Sequence, residues 1–350
     1  SDEPHVYVYR WDNGQWQLQQ DLKLKGLQGI GFGKSVDVSG NFAIVGQYNV
    51  SSSQCPTGAA HIYQLKDGTW QYQQILKPSD LKAGDGFGSS VAIEGKAAIV
   101  RASSANVPGK ADCGAAYIFQ LEGGKWVQKA KLQPLDLGAG DRFGGSVAID
   151  RNVAVVGAYY ADAPGKYNCG AAYIFHLESG QWKQQQKLQP LDLGDRDSFG
   201  FSVAISGNRA IVGAPHSRVP GKSNVGAAAY IYQLEDGAWQ LYQKIHAADQ
   251  KAGDYFGFSV ELDGGVAVVG ARYADAGGKV NCGAAYLFQL VNGKWEQKQK
   301  LQPSDLPAKG EWSICASFDG SKAIFSSHGR NLRPRVGFAY ICDVTTEEAE

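Results

Sequence analysis

The sequence predicts an all-β fold, a six-bladed β-propeller of four-stranded antiparallel blades, with residues 1–350 forming a single domain. Three observations carry that prediction: a marker that recurs at a fixed period, strand-length segments between the markers, and glycine-rich turns joining them. The marker Phe-Gly-x-Ser-Val stands at Phe32-Gly33-Lys34-Ser35-Val36, Phe87-Gly88-Ser89-Ser90-Val91 and Phe143-Gly144-Gly145-Ser146-Val147. It recurs at Phe199-Gly200-Phe201-Ser202-Val203 and Phe256-Gly257-Phe258-Ser259-Val260, and a degraded sixth copy reads Trp312-Ser313-Ile314-Cys315-Ala316. Successive aromatic positions lie 55, 56, 56, 57 and 56 residues apart.

Each repeat resolves into four strands, a to d. In the third copy Ser146–Asp150 alternates and Val153–Gly157 is a β-branched run. Gly170–Leu177 and Trp182–Leu188 then form a second strand pair across Glu178-Ser179-Gly180. The c–d turns Asp67-Gly68, Asp236-Gly237 and Asn292-Gly293 are the dipeptides that a two-residue hairpin with positive φ requires. The a–b turns are also short, as in Ser206-Gly207-Asn208. The b–c and d–a connections are long and emerge on one face, so that face is the candidate binding surface.

The termini complete the count. Val6–Tyr9 is c-like and Trp16–Leu22 is d-like; five full repeats follow, and the last copy supplies a, b and c, ending at Phe338–Val344. The last blade is expected to close by taking Trp16–Leu22, which leaves one c-like strand as an outer strand or a free edge. Strand d opens with tryptophan in every copy: Trp16, Trp70, Trp126, Trp182, Trp239 and Trp295. A ring of sugar-stacking platforms is one reading of this, but recurrence at one position of every copy favours apolar anchors packed between blades.

Composition narrows the function. Lys+Arg and Asp+Glu both number 34, so the chain carries no net charge to attract nucleic acid or an anionic membrane. No apolar run is long enough to span a bilayer, so membrane insertion is not expected. The chain has no methionine, not even an initiator; a processed N-terminus explains the missing initiator, and removal of a secretion signal is one route to it. Of the six cysteines, Cys113, Cys169 and Cys282 share one repeat position, Cys-Gly-Ala-Ala-Tyr, while Cys55, Cys315 and Cys342 do not. Equivalent positions in different blades are too far apart to bridge, so mostly free thiols are expected. No Cys-x-x-Cys spacing suggests zinc.

The stretch from Phe199-Gly200 to Gly213-Ala214-Pro215 resembles the FG-GAP repeat of the integrin α-subunit propeller, and the resemblance extends over about residues 6–343. Other copies keep Phe-Gly and Gly-Ala but lose the proline, as in Gly157-Ala158-Tyr159 and Gly270-Ala271-Arg272. The resemblance implies a propeller whose b–c and d–a loops bind partners; relatives include adhesion receptors, microbial surface proteins and domains attached to enzymes. Two departures matter. Integrin-type copies often hold calcium in an Asp-rich a–b loop, whereas the turns here read Val-Ser-Gly-Asn or Ile-Glu-Gly-Lys and offer too few carboxylates for its six to eight oxygens. Integrins also have seven copies, against six here.

The candidate ligand-binding residues lie in the b–c loops. Two loops nearly coincide, one carrying Tyr160, Asp162, Lys166 and Asn168, the other Tyr273, Asp275, Lys279 and Asn281. Tyrosine offers a flat face and the polar groups offer hydrogen bonds, as a glycan site needs. Solvated loops shaped by glycine and proline are the plainer alternative. Lys110 and Lys222 share the Gly-Lys position, and His216 follows Gly-Ala-Pro on the same face. In the d–a loops Asp80, Asp136, Asp192, Asp249 and Asp305 precede the marker by seven residues, and Asp85, Asp141, Asp197 and Asp254 by two. A cation at each junction is one option; turns in which the carboxylate accepts from backbone N–H are favoured.

No catalytic motif occurs, and the histidines (His5, His61, His176, His216, His246 and His328) share no repeat position. The expected function is a non-enzymatic extracellular or surface module binding a protein or a glycan, with no cofactor and no metal. A structural protein that self-associates through the surplus strand is the alternative, and a catalytic propeller comes third. Excess chelator is expected to leave the thermal midpoint within a few degrees of its value in calcium; a larger fall would show that calcium supports the fold.

Overall fold

The computed structural model describes residues 5–24, 31–48, 57–217, 226–275, 280–302, 317–318, 322–327 and 338–343. Lys222, Lys279, Cys55, Cys315, Asp305, Trp312 and His328 lie outside the described residues. Twenty-five strands and no helix occur among those described. The chain opens with β1 (Val6–Asp12) and β2 (Gln15–Leu22), which pair as a two-stranded sheet. The first full blade is β3 (Phe32–Ser39), β4 (Phe42–Gln47), β5 (Ala59–Lys66) and β6 (Thr69–Leu76). Next come β7 (Phe87–Glu94), β8 (Ala97–Ala102), β9 (Ala115–Glu122) and β10 (Lys125–Leu132). The third blade is β11 (Val147–Asp150), β12 (Val153–Ala158), β13 (Ala171–Glu178) and β14 (Gln181–Leu188).

The fourth blade holds β15 (Ser202–Ser206), β16 (Arg209–Ala214), β17 (Ala228–Glu235) and β18 (Ala238–Ile245). The fifth holds β19 (Phe256–Asp263), β20 (Val266–Ala271), β21 (Ala284–Val291) and β22 (Lys294–Leu301). All five are four-stranded antiparallel sheets in a–b–c–d order. The sixth copy forms the three-stranded sheet β23 (Ser317–Phe318), β24 (Lys322–Ser327) and β25 (Phe338–Asp343). The fold class is all-β, with the blades of a six-bladed propeller. The described partner of β2 is β1, and the expected closure by Trp16–Leu22 is not among the described pairings. The chain forms two compact units, residues 1–154 with 176–183 and residues 155–175 with 184–350.

The turns follow from residue chemistry. Asp67, Asp236 and Asn292 take φ of 49°, 50° and 49°, and their glycines 75°, 81° and 77°, as the two-residue hairpin demands. The marker phenylalanines Phe87, Phe143, Phe199 and Phe256 are fully buried. Each full burial of such a side chain is worth about 1.5–3 kcal/mol.

Backbone contacts stitch successive blades within each unit. In the first unit the N–H of Phe87 donates to the Thr57 carbonyl (3.0 Å) and that of Phe143 to the Cys113 carbonyl (2.7 Å). In the second, Phe199 N–H donates to the Cys169 carbonyl (2.9 Å). Gly114 lies so close to Phe143 that a Cβ on it would sit 1.9 Å from the Phe143 carbonyl oxygen. Glycine is therefore the only residue that fits there.

The tryptophans are anchors. Trp70, Trp126, Trp239 and Trp295 are buried, and each is held by a glutamine from the preceding d strand. In the first unit Gln20 donates to the Trp70 carbonyl and accepts from its N–H, both at 2.8 Å; Gln74 does the same to Trp126 at 2.8 and 2.9 Å. In the second unit Gln186 clamps Trp239 and Gln243 clamps Trp295 in the same way. These glutamines stand four residues after the preceding tryptophan. At that register after Trp126 the residue is Ala130, and Trp182 is only half-buried.

The first full blade replaces a polar contact found in others. Tyr117 donates to Asp80 (3.1 Å), and Lys131 reaches the same carboxylate (2.6 Å). In the second unit Tyr230 and Lys244 meet Asp192 likewise. Where that tyrosine would stand, the first blade has His61, and seven residues before Phe32, where the aspartate would stand, the sequence has Lys25. His61 is fully buried and turns its Nε2 to Gln47 Oε1 at 2.9 Å instead. Burial holds its imidazole neutral and pushes its pKa down to about 4.

Two outcomes are expected. Ala130→Gln should raise the thermal midpoint by the equivalent of about 1–2 kcal/mol, two net neutral hydrogen bonds, and Gln74→Ala should lower it by a similar amount. An unchanged or lower midpoint for Ala130→Gln would show that the clamp does not stabilise. For His61, the unfolded chain takes up a proton near pH 6.5 and the folded one only near 4, so stability falls as pH drops through that window. Denaturant melts at about pH 7 and about pH 4.5 should show the protein losing up to about 2–3 kcal/mol more than His61→Gln does.

Candidate functional site

The b–c loops are held by their own polar side chains. Asp162 Oδ1 accepts from the N–H of Asn168 at 2.6 Å, and Asp275 Oδ1 accepts from the N–H of Asn281 at 3.0 Å. Asn106 does the same for Asp112 at 2.7 Å. Asn168 and Asn281 both sit at positive φ, 51° and 55°, where asparagine is better tolerated than most residues. Lys166 Nζ donates to the Leu191 carbonyl and Lys110 Nζ to the Leu137 carbonyl, each at 2.6 Å, tying a b–c loop to a d–a loop. Asp275 also faces Lys251 at 3.6 Å. Of the residues singled out from sequence, Asp162, Asn168, Lys166, Asp275, Asn281 and Lys110 thus shape the loops.

The d–a acids form turns. Asp85, Asp141, Asp197 and Asp254 each accept the backbone N–H three residues back, from Lys82, Gly138, Gly194 and Lys251, at 2.7–2.8 Å. Burial raises the pKa of Asp85 and Asp254. Among the described residues no group of three or more His, Cys, Asp or Glu is arranged to hold a metal. Cys113, Cys169 and Cys282 are free and buried, and burial pushes the thiols of Cys113 and Cys169 upward in pKa, away from nucleophilic chemistry.

What remains is aromatic, and it lies within the second unit. Tyr160, exposed, packs on Tyr159 at 4.4 Å between ring centroids, and Tyr159 on Phe201 at 5.5 Å. Phe201 meets Phe258 at 4.8 Å and His216 at 6.0 Å. His216 meets Tyr255 at 4.9 Å, and Tyr255 meets Tyr273 at 5.1 Å. The Arg272 guanidinium lies over both Phe258 (4.8 Å) and Tyr273 (5.2 Å). The row therefore joins three sequence-predicted residues, Tyr160, His216 and Tyr273, drawn from three repeats.

Five members escape sequence analysis: Tyr159, Phe201, Tyr255, Phe258 and Arg272. A signal for them exists in the variable place of the marker, which reads Lys34, Ser89 and Gly145 in three copies but Phe201 and Phe258 in two. The other described histidines lie elsewhere. His5 pairs with Asp21 at 2.9 Å, His61 is in the core, and His246 Nδ1 lies 3.2 Å from the Ala227 carbonyl.

Comparison with solved structures finds similarity to a Bacteroides uniformis ATCC 8492 protein provisionally named a 6-phosphogluconolactonase. The TM-score is 0.57 at 12% identity, over 93% of this chain and 84% of that one. Identity this low is a likeness of fold alone. No curated protein matches. The family model described as "FG-GAP repeat" matches residues 70–119, 126–175, 182–232 and 239–288, each beginning at a strand-d tryptophan. These four matches cover more than half of the sequence, and the chain belongs to the FG-GAP repeat family.

Proposed function

We propose that the protein is a non-enzymatic binding module, extracellular or surface-displayed, that engages a protein or glycan ligand through the loop face of its second unit. The observation that carries this is the aromatic row from Tyr160 to Tyr273, which three repeats build largely at positions that hold small or polar residues in other copies, such as Gly31, Lys34, Gly86 and Ser89. Half-exposed rings with polar edges suit recognition: they bury much surface at little entropic cost. The FG-GAP family is consistent with a scaffold whose loops bind. Among the described residues no nucleophile–base pair is seen beside the row, and binding has more support than an enzymatic role.

Self-association is the second reading. It is favoured by β1, which exposes Tyr7 (53%), Tyr9 (53%) and Trp11 (44%) on alternate residues of a strand whose described partner is β2. Sedimentation of the protein and of Tyr7→Lys/Tyr9→Lys separates the two: a dimer lost on substitution supports self-association, and a monomer in both cases removes it.

For the binding reading, Tyr160→Ala combined with Tyr273→Ala should lower affinity on a glycan or protein array by at least about tenfold, which is 1.4 kcal/mol. The thermal midpoint should hardly move for Tyr160, since exposed loop changes usually cost under about 0.5 kcal/mol. Full retention of binding would place the ligand elsewhere. Asp162→Ala with Asp275→Ala should lower stability by about 0.5–1.5 kcal/mol for each lost hydrogen bond, because both carboxylates hold their loops.

A further inference from the structure

One backbone hydrogen bond ties a b–c loop to the following d–a loop in two copies. In the second copy the N–H of Gly140 donates to the Ala111 carbonyl at 2.9 Å, and in the third the N–H of Arg196 donates to the Tyr167 carbonyl at 2.8 Å. Glycine and alanine therefore suffice for the bond. The register of Arg196 holds glycine in the other described copies, Gly84 (φ 92°), Gly140 (84°) and Gly253 (90°), while Arg196 takes φ of 64°. Glycine adopts this conformation freely and a side chain there costs stability. Both Arg196 and Tyr167 (60%) are exposed. Among the described residues neither side chain has a hydrogen bond, ion pair or ring contact. Asp195, the acid next to Arg196, accepts instead from the Tyr167 N–H at 2.9 Å.

The same d–a loop opens a cleft of about 480 Å³ against the fourth blade, with apolar walls from Leu188, Pro190, Leu191, Tyr232 and Leu241. Leu191 is 95% exposed. Polar groups that line the cleft, such as Gln186 and Asp192, are bonded within the fold. The next junction closes differently: Gln297 Oε1 accepts from the Ala248 N–H at 2.9 Å. At those two registers the third-to-fourth junction has Leu241 and Leu191. An apolar pair thus stands where the neighbouring junction has a polar tie. Lys166 holds the Leu191 carbonyl at 2.6 Å, and Tyr167, the next residue, holds Arg196. The cleft and the Arg–Tyr pair are two ends of one fixed loop surface.

We infer that Tyr167, Leu191 and Arg196 form a protein-docking surface, whose partner seats an apolar side chain in the cleft and offers an Asp or Glu carboxylate to Arg196. Guanidinium and carboxylate match in charge and in donor–acceptor geometry. Tyrosine and arginine are also the residues that dominate interface energies. A protein is favoured over a glycan because the cleft is largely aliphatic, which suits a leucine- or phenylalanine-type side chain better than a hydroxylated ring. The surface continues the b–c loop that carries Tyr160. The inference rests on the binding reading above and narrows its ligand to a protein.

The test is phage display of random peptides on the whole chain, counter-selected on the variant Tyr167→Ala/Leu191→Ser/Arg196→Gly. These substitutions bring in the residues of other copies, Ala111, Ser79 and Gly140. The selected consensus should pair a large apolar residue with Asp or Glu, and the synthetic consensus peptide should bind the parent at least about tenfold more tightly than the variant. The thermal midpoint of the variant should equal or exceed that of the parent. Amidating the acid of the peptide should weaken binding to the parent and change nothing on Arg196→Gly, whereas Leu191→Ser should weaken the acid and amide peptides alike. A consensus without an acid, or an acid preference that survives Arg196→Gly, overturns the assignment to Arg196. A lower midpoint for the variant gives these side chains a structural role and overturns the docking surface. If no peptide is selected while a glycan binds through Tyr160 and Tyr273, the docking surface falls and the binding reading stands; if neither binds, both fall.

Discussion

Backbone meeting backbone at glycine is the constraint on which the rest depends. Within the first unit the Phe143 N–H reaches the Cys113 carbonyl only because Gly114 has no side chain to fill the 1.9 Å between its would-be Cβ and the Phe143 carbonyl oxygen. The same approach recurs where Gly88 meets Ala59, 2.0 Å from a would-be Cβ, and in the second unit where Gly213 meets the Gly257 carbonyl at 2.1 Å. The first of these contacts satisfies a buried N–H, that of Phe143, which would otherwise cost about 1–3 kcal/mol. The contacts also fix the spacing at which the phenylalanine can drop into the core. The repeat marker is thus a packing rule written as sequence.

Once the glycines set the approach, the outer strands add a second tie. The glutamine amide mimics a strand neighbour: one N–H and one C=O meet the backbone of the next tryptophan. A side chain supplies what a β-ladder would, without requiring the d strands to pair. Inside, the Tyr–Asp–Lys contact recurs, at Asp80 in the first unit and at Asp192 in the second. Where the aspartate gives way to Lys25 the tyrosine gives way to His61, which finds Gln47. Within one chain the tyrosine and the aspartate are lost together, which fits the penalty on a buried donor that lacks an acceptor.

The proposed binding surface parts from the scaffold where the copies differ. The loop acids and lysines that look like ligand-binding chemistry close turns and cross-link loops, and they do so in several repeats. The aromatic row belongs to the third, fourth and fifth repeats and uses positions the scaffold leaves open, namely the variable place of the marker, the residue before it and the residues after strand b. Symmetry makes the blade, and departures from it make the surface.

The sequence by itself determined the fold class, the four strands of a blade, the hairpin turns and the anchoring role of the tryptophans. Those features are local or repeat at one period, and periodic patterns are legible without coordinates. It also identified Tyr160, Tyr273 and His216, because they stand in long loops on one face. Only the tertiary structure decided that these three belong to one aromatic row with Phe201, Phe258 and Tyr255. It likewise decided that Asp162 and Lys166 are committed to neighbouring backbone groups. The reason is distance along the chain. Phe201 and Phe258 lie 57 positions apart and touch at 4.8 Å only after their blades pack, and whether a carboxylate faces a ligand or its own loop turns on a few ångströms of backbone path.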